Sequence, residues 1–325
     1  MKYRFIDGID KPLSFLTYGT PRTATDSRTR KEAFESYDLA WEAGFRTFDT
    51  AHSYGEGEET LGLWLRDRGH RDEAVILDKG CNPGQHGSPD VMSAALIRQQ
   101  IEQSLLRLKT DRVELYVLHR DDPSVPADGI IYELNRLKRE GKLIRFGASN
   151  WTLERISAAN NYASAHGLDG FSAVSPAYSL AEYIHDPWGG SVALSGEQQA
   201  EYRNWLMRER IPVFCYSALG RGYLSGKFRT DGGAPIEDCI GKGSIMEYDA
   251  PVNRARLARA KKLAAEKGAG VAQVCLAWLL KQPFDIFPIV APSGSEHIAE
   301  IAAALDIELT QDECEWLLKG GQDGP

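Results

Sequence analysis

The sequence predicts a single α/β domain spanning residues 1–325, a (β/α)8 TIM barrel with an N-terminal β-hairpin cap. Three observations carry this. A chain of 325 residues fits one barrel. Eight short apolar runs, β-branched or aromatic, alternate with longer helical patterns until the chain is used up. No shift in composition interrupts the series, which favours a closed barrel over an open doubly wound sheet.

The cap comes first: Tyr3 to Ile6 and Pro12 to Phe15 flank Asp7-Gly8-Ile9-Asp10, a hairpin pattern. Strands are expected at Ser14 to Tyr18, Phe45 to Asp49, Ala74 to Lys79, Val113 to His119, Ile144 to Ser149, Phe171 to Ser175, Ile211 to Tyr216 and Asp285 to Val290. Each is short and mostly apolar, as strands buried on both faces are. Between them, Arg30 to Gly44 puts Ala33, Phe34, Tyr37, Ala40 and Trp41 on one helical face, and Gly44 stops it. The same rule places helices near Glu58 to Arg68, Val91 to Leu108, Asp128 to Glu140, Leu153 to His166, Glu197 to Arg208, Val252 to Lys267, Val271 to Lys281 and Glu296 to Leu305. Two connections are long, Ala181 to Gly196 with Trp188, and Lys227 to Pro251, rich in glycine and charge. Loops of that length in a compact domain are usually lids or binding loops.

Bulk composition narrows the partners. Hydrophobic residues at 42% and charged residues at 26% are ordinary for a globular chain. The net charge of -8 disfavours nucleic acid and anionic membrane, both of which call for a basic patch. No apolar run reaches membrane-span length, and Asp7 interrupts the N-terminus before a signal-like apolar region forms, so a cytoplasmic location is expected. The five cysteines lack CxxC spacing and read as reduced thiols, with no metal site implied. Cys215 and Cys275 fall in core-like runs, while Cys81, just past a strand end, is placed for exposure.

In such a barrel, chemistry projects from the C-terminal ends of the strands. Reading those ends in order gives Asp49 and then Tyr54 after the second strand, Lys79 at the third and His119 at the fourth. Reducing a carbonyl needs hydride at carbon and a proton at the developing alkoxide. A phenol is a weak acid unaided, and a neighbouring ammonium favours the phenolate, so Lys79 beside Tyr54 would ease proton release. Asp49 would hold Lys79 in place and charged, and His119 would orient and polarise the carbonyl. Taken singly, each residue has a duller account: a helix cap, a structural ion pair, a satisfied histidine. Four at consecutive strand ends make a coherent active site. A glycosidase reading needs two facing carboxylates, and Asp78 should point away from Lys79 by strand alternation. Gly55-Glu56-Gly57 resembles the start of a dinucleotide fingerprint, but the third glycine is missing and the acids would repel a pyrophosphate.

The stretch Gly44-Phe45-Arg46-Thr47-Phe48-Asp49-Thr50-Ala51-His52-Ser53-Tyr54-Gly55 resembles the signature of the aldo-keto reductase family. Similar family features are Leu115-Tyr116-Val117-Leu118-His119, Gly141 to Asn150, Tyr216 to Gly222 and Glu296 to Glu300. The resemblance implies the barrel, an oxidoreductase, a small-molecule carbonyl or alcohol substrate, and NADPH as the usual cofactor, with NADH as the alternative. It implies a catalytic tetrad of Asp49, Tyr54, Lys79 and His119. It further implies that Ser149 and Asn150, with Ser175, hold the nicotinamide carboxamide and that Tyr216 stacks on the ring. Ser217, Leu219, Gly220 and Arg221 would follow the pyrophosphate, Ser293 and Gly294 the adenosine phosphate, and Glu300 the adenine. Ser175 stands where many members have glutamine, His297 where many have arginine for the 2'-phosphate, and Ile301 where the pattern has asparagine. The alternative within the same resemblance is a noncatalytic nicotinamide-sensing regulatory module. Substrate contacts are expected from Tyr18, His86, Arg120 and Trp188, with Asp122 a further candidate.

Overall fold

The computed structural model describes residues 1–21, 27–82, 92–186, 188–228, 235–292 and 294–321. The chain folds as two compact units, Met1–Ser175 and Pro176–Pro325.

In the first unit, β1 (Tyr3–Arg4) pairs antiparallel with β2 (Leu13–Ser14), which is the expected hairpin. Five parallel strands follow: β3 (Thr17–Gly19), β4 (Thr47–Asp49), β5 (Val75–Gly80), β6 (Val113–Leu118) and β7 (Leu143–Ala148), lying in the order β7-β6-β5-β4-β3. Each neighbour in sequence is a neighbour in the sheet, as right-handed β-helix-β crossovers produce. The crossovers are α1 (Ser27–Glu42), α2 (Gly57–Arg68), α3 (Ala94–Leu108) and α4 (Ala127–Arg139), with α5 (Leu153–Ala165) after β7. Local chemistry sets their ends. Ser93 caps α3 by accepting from Leu96 N at 3.1 Å, Thr152 caps α5 through Arg155 N, and Gly69 takes a left-handed conformation to stop α2. The expected sixth strand is reduced to a parallel bridge between Ala148 and Val174.

The second unit holds α6 (Ala200–Glu209), α7 (Ile236–Cys239), α8 (Lys242–Tyr248), α9 (Pro251–Lys267), α10 (Val271–Leu280), β8 (Ile289–Val290), α11 (Gly294–Ala303) and α12 (Gln311–Lys319). The expected seventh strand appears as bridges, Ala177 to Tyr216 and Val213 to Ile286. Two helices, α7 and α8, occupy part of the segment whose composition reads as a long loop, and α12 lies beyond the last helix that periodicity marks. Among the described residues no single helix is long and apolar enough to cross a membrane.

Cys215 and Cys275 are buried as expected. Cys81 is not exposed: it is 1% accessible, and its backbone N–H donates to Gln100 Oε1 at 2.7 Å. Tyr18 is likewise a core residue rather than a substrate contact. It is 1% accessible, its hydroxyl is 2.5 Å from Ser36 Oγ on α1, and its ring packs on Tyr37, Phe45 and Phe48. The register explains this, because Tyr18 sits opposite Phe48, whereas Gly19 sits opposite Asp49.

At the base of the first unit a charged group is fully enclosed. Glu114 on β6, with no side-chain exposure, accepts from Lys11 Nζ at 2.7 Å, Arg71 Nη1 at 3.0 Å and Ile76 N at 2.8 Å. Lys11 also donates to Arg71 O and Ala74 O, so the end of the hairpin is tied to the start of β5. Removing Glu114 leaves the largely buried Lys11 ammonium and the Arg71 guanidinium without their carboxylate. Glu114→Ala should therefore lower unfolding free energy by about 3–5 kcal/mol. Urea denaturation followed by circular dichroism checks this; a midpoint equal to the parent's would show that the network contributes nothing.

Candidate active site

The strands deliver their terminal side chains to one edge of the first unit. Asp49 ends β4 in register with Leu77 of β5, and Lys79 lies two residues beyond Leu77 on the same face. The sheet bonding continues past β4: Thr50 N donates to Leu77 O at 2.9 Å and His52 N to Lys79 O at 2.7 Å. The chain then turns, Tyr54 N donating to Ala51 O and Gly57 N to Tyr54 O, with Gly55 at φ 60. Gly57 opens α2 where a Cβ would lie 3.4 Å from Tyr54 Cβ and 3.3 Å from Pro21 O, so its lack of a side chain serves packing at the turn.

Lys79 Nζ donates to Asp49 Oδ1, and both side chains are 4% exposed. The same nitrogen lies 5.1 Å from the centre of the Tyr54 ring. Tyr54 meets His119 edge-on, ring centres 5.8 Å apart and planes at 76°. His119 follows β6 with its backbone N–H donating to Gly80 O at 2.7 Å, and its Nδ1 is 3.5 Å from Ser53 Oγ. Asp49, Tyr54, Lys79 and His119 are thus brought together. Asp49 and Lys79 are buried, while Tyr54 and His119 are half-buried, the distribution needed if a small molecule is to reach the last two. Sequence reasoning passes over Ser53; its one signal is adjacency to Tyr54.

Burial pushes the Lys79 amine down, but the Asp49 carboxylate and the nearby Tyr54 oxygen together outweigh it and hold the amine above the ordinary lysine range. Asp78, the next residue back, faces the opposite way. Burial and the Glu58 carboxylate push its carboxyl well above the usual range, with the Ser104 hydroxyl and Lys79 offsetting only part of that. The pair Asp49 and Asp78 therefore does not share a face.

Beside this cluster, Asn150 Nδ2 donates to His119 O and to Ser149 Oγ, each at 3.1 Å, and Ser149 Oγ donates to Ser175 O at 2.5 Å. Ser175 Oγ is buried and has no hydrogen-bond partner among the described residues. An unpaired hydroxyl beside two ordered polar side chains suits an amide ligand such as a carboxamide. Arg120 is half-buried, and its carbonyl accepts from Trp151 Nε1 at 3.1 Å. His86 lies outside the described residues.

In the second unit, Tyr216 is half-buried at the end of its bridge, and Ser217 to Gly222 form a turn with Gly220 N donating to Ser217 O at 2.8 Å. Ser217, Gly220, Arg221 and Gly222 all have positive φ. Leu219 is half-buried beside them. Trp188 is 50% exposed, and the Arg221 guanidinium carbon lies 5.2 Å from its ring centre. Gly294 begins α11, His297 and Glu300 lie half-buried along it, and Ser293 falls outside the described residues.

The profile of the aldo/keto reductase family matches residues 16–317. The aldo-keto reductase str7 of Strobilurus tenacellus is 30% identical over 288 residues, covering 87% of this chain and 79% of that one. Norsolorinic acid reductase stcV of Emericella nidulans is 27% identical, covering 88% of this chain and 70% of that one. An aryl-alcohol dehydrogenase of Pestalotiopsis microspora is 26% identical, covering 90% and 73%. The chain is an α/β oxidoreductase. It belongs to the aldo/keto reductase family, whose (β/α)8 barrel is the fold class the sequence predicts.

The buried pair has a pH signature. A lysine held above its unfolded value contributes stability that is complete below about 10.4, the ordinary lysine pKa, and is lost as pH rises through the higher native value. Asp49→Asn removes the largest influence that holds it up, so burial pushes the amine down against less opposition. The alkaline unfolding midpoint of that variant should lie at lower pH than the parent's, as measured by tryptophan fluorescence across an alkaline series. Coincident curves would mean the pair carries no such linkage.

Proposed function

We propose that the protein reduces an aldehyde or ketone to an alcohol with NADPH, acting in the cytoplasm as a single 1–325 domain. The observation that supports it most is the Lys79 amine, 5.1 Å from the Tyr54 ring centre and ion-paired to buried Asp49. A reduced nicotinamide, when bound, supplies the hydride. Ser149, Asn150 and the unpaired Ser175 hydroxyl would hold its carboxamide, and Tyr216 would stack on the ring. Ser217, Leu219, Gly220 and Arg221 would take the pyrophosphate, with Ser293, His297 and Glu300 at the adenosine end. Ser293 and His297, taken toward the 2' position, would favour NADP(H) over NAD(H), a histidine contributing less there than an always-charged arginine.

The chain's own residues then manage one proton. Tyr54 donates its hydroxyl proton to the oxygen that gains charge as the carbonyl is reduced. Lys79 stabilises the phenolate left behind, and Asp49 keeps the ammonium fixed so that no reorganisation is needed at that moment. His119, edge-on to Tyr54, donates to the substrate oxygen and sets its direction. Arg120, following His119, and Trp188 would be substrate contacts, and residues of those types suit a hydroxylated or aromatic carbonyl. The curated relatives named as a norsolorinic acid reductase and an aryl-alcohol dehydrogenase accord with an aromatic substrate.

Tyr54→Phe should cut turnover about 10²- to 10⁴-fold, the usual worth of a positioned general acid. NADPH binding should stay intact, because the phenol acts on the substrate. Loss of NADPH absorbance over a panel of aldehydes, ketones and sugars reads turnover, and fluorescence titration reads binding. Undiminished turnover in the variant refutes the assigned acid, and a parent inert across the panel favours a sensor.

A further inference from the structure

Arg221 sits in a seat built by residues far from it in sequence. Its Nη1 donates to Glu247 Oε1 on α8, a carboxylate with no side-chain exposure, while Arg221 itself is 41% exposed. Its guanidinium carbon lies 5.2 Å from the centre of the Trp188 ring. Beside it is Gly243, where a Cβ would come within 3.2 Å of both Nη1 and Nη2, so the missing side chain leaves the guanidinium room to sit where it does. Ser244 Oγ donates to Gly220 O at 2.8 Å, fixing α8 to the residue before Arg221. The Trp188 loop is fixed to the same helix, since Ile184 N donates to Glu247 O at 2.8 Å.

Arginine is otherwise a floppy cation, and ordering it costs rotamer entropy. Here that cost is met before any ligand arrives. One of five N–H groups is committed to Glu247, and the rest make no hydrogen bond among the described residues, leaving a fork suited to two oxygens of one anion.

We propose that Glu247 and Trp188 are positioning residues that hold Arg221 ready for a phosphate of the dinucleotide. The inference rests on the reading of Arg221 as a pyrophosphate contact. It assigns a role to Glu247, and it makes Trp188 a partner of the cofactor arginine as well as a substrate wall.

A double-mutant cycle tests it, read as NADPH dissociation constants from fluorescence titration at fixed ionic strength. Glu247→Ala should weaken binding roughly five- to twentyfold in the parent and by much less in an Arg221→Met background, because residues acting through one another are not additive. Glu247→Gln keeps the acceptor oxygen and should restore most of the affinity, which a mere loss of charge would not allow. Trp188→Leu, at a half-exposed position, should follow the same non-additive pattern. Equal losses in both backgrounds, or tighter binding by Glu247→Ala, would overturn the positioning role while leaving Arg221 as a ligand. Unchanged affinity in Arg221→Met would remove the phosphate reading and this proposal with it. Neither result touches the Tyr54 assignment, which turnover decides.

Discussion

The candidate site's edge depends on one ion pair, Lys79 with Asp49, joined across adjacent parallel strands and almost sealed from water. Two such charges are costly to bury apart and are retained only in good geometry. The register supplies that geometry: with Asp49 opposite Leu77, a lysine two residues further on lies on the same face with a stem long enough to reach back. A one-residue slip would send Lys79 toward the helices and bring Asp78 to the edge, exchanging a cation for an acid.

Adjacent residues on β5 therefore have opposite electrostatics. Lys79 stays a cation because a carboxylate and a phenol oxygen outweigh its desolvation. Asp78 is driven toward its neutral form because burial is its largest influence and a second acid, Glu58, lies nearby. Glu58 in turn is paired with Arg107 at 2.9 Å, so the layer between sheet and helices holds its own polar network, separate from the edge that carries Lys79 and Asp49. Separating titratable groups whose surroundings drive them apart lets one strand serve both structure and chemistry.

Much of this is legible in the sequence because strand ends and helix patterns are local. The short runs ending at Asp49, Lys79 and His119 match the strands within a residue or two. Tyr18 escapes a sequence reading because its direction depends on pairing with Phe48, a non-local fact. Cys81 escapes it because its burial is a tertiary fact, its backbone N–H meeting Gln100 of α3, a residue nineteen positions on. The runs at Phe171 and Ile211 are real but pair through isolated bridges, which apolar composition alone does not distinguish from full strands. The helix α12 carries a readable capping box, Thr310 with Glu313, that periodicity passes over. Glu247 has no local signal: its role exists only once α8 brings it under Arg221.

Backbone strain collects just past strands and bridges. Among the described residues, six that are not glycine have positive φ. Two of them, Lys109 and Arg210, close helices, a common use of that conformation. The other four are Cys81 just after β5, Asn150 just after β7, and Ser217 and Arg221 in the turn after Tyr216. A left-handed conformation costs a side-chain-bearing residue roughly 1–2 kcal/mol, so glycine would relieve each site if only the turn mattered. Asn150 shows why it does not: its amide bonds both His119 O and Ser149 Oγ, tying two strand ends together. Arg221 shows the same from the second unit, where the strained backbone aims a guanidinium into the space left by Gly243. The strain is tolerated because the side chain at that point does something a glycine could not.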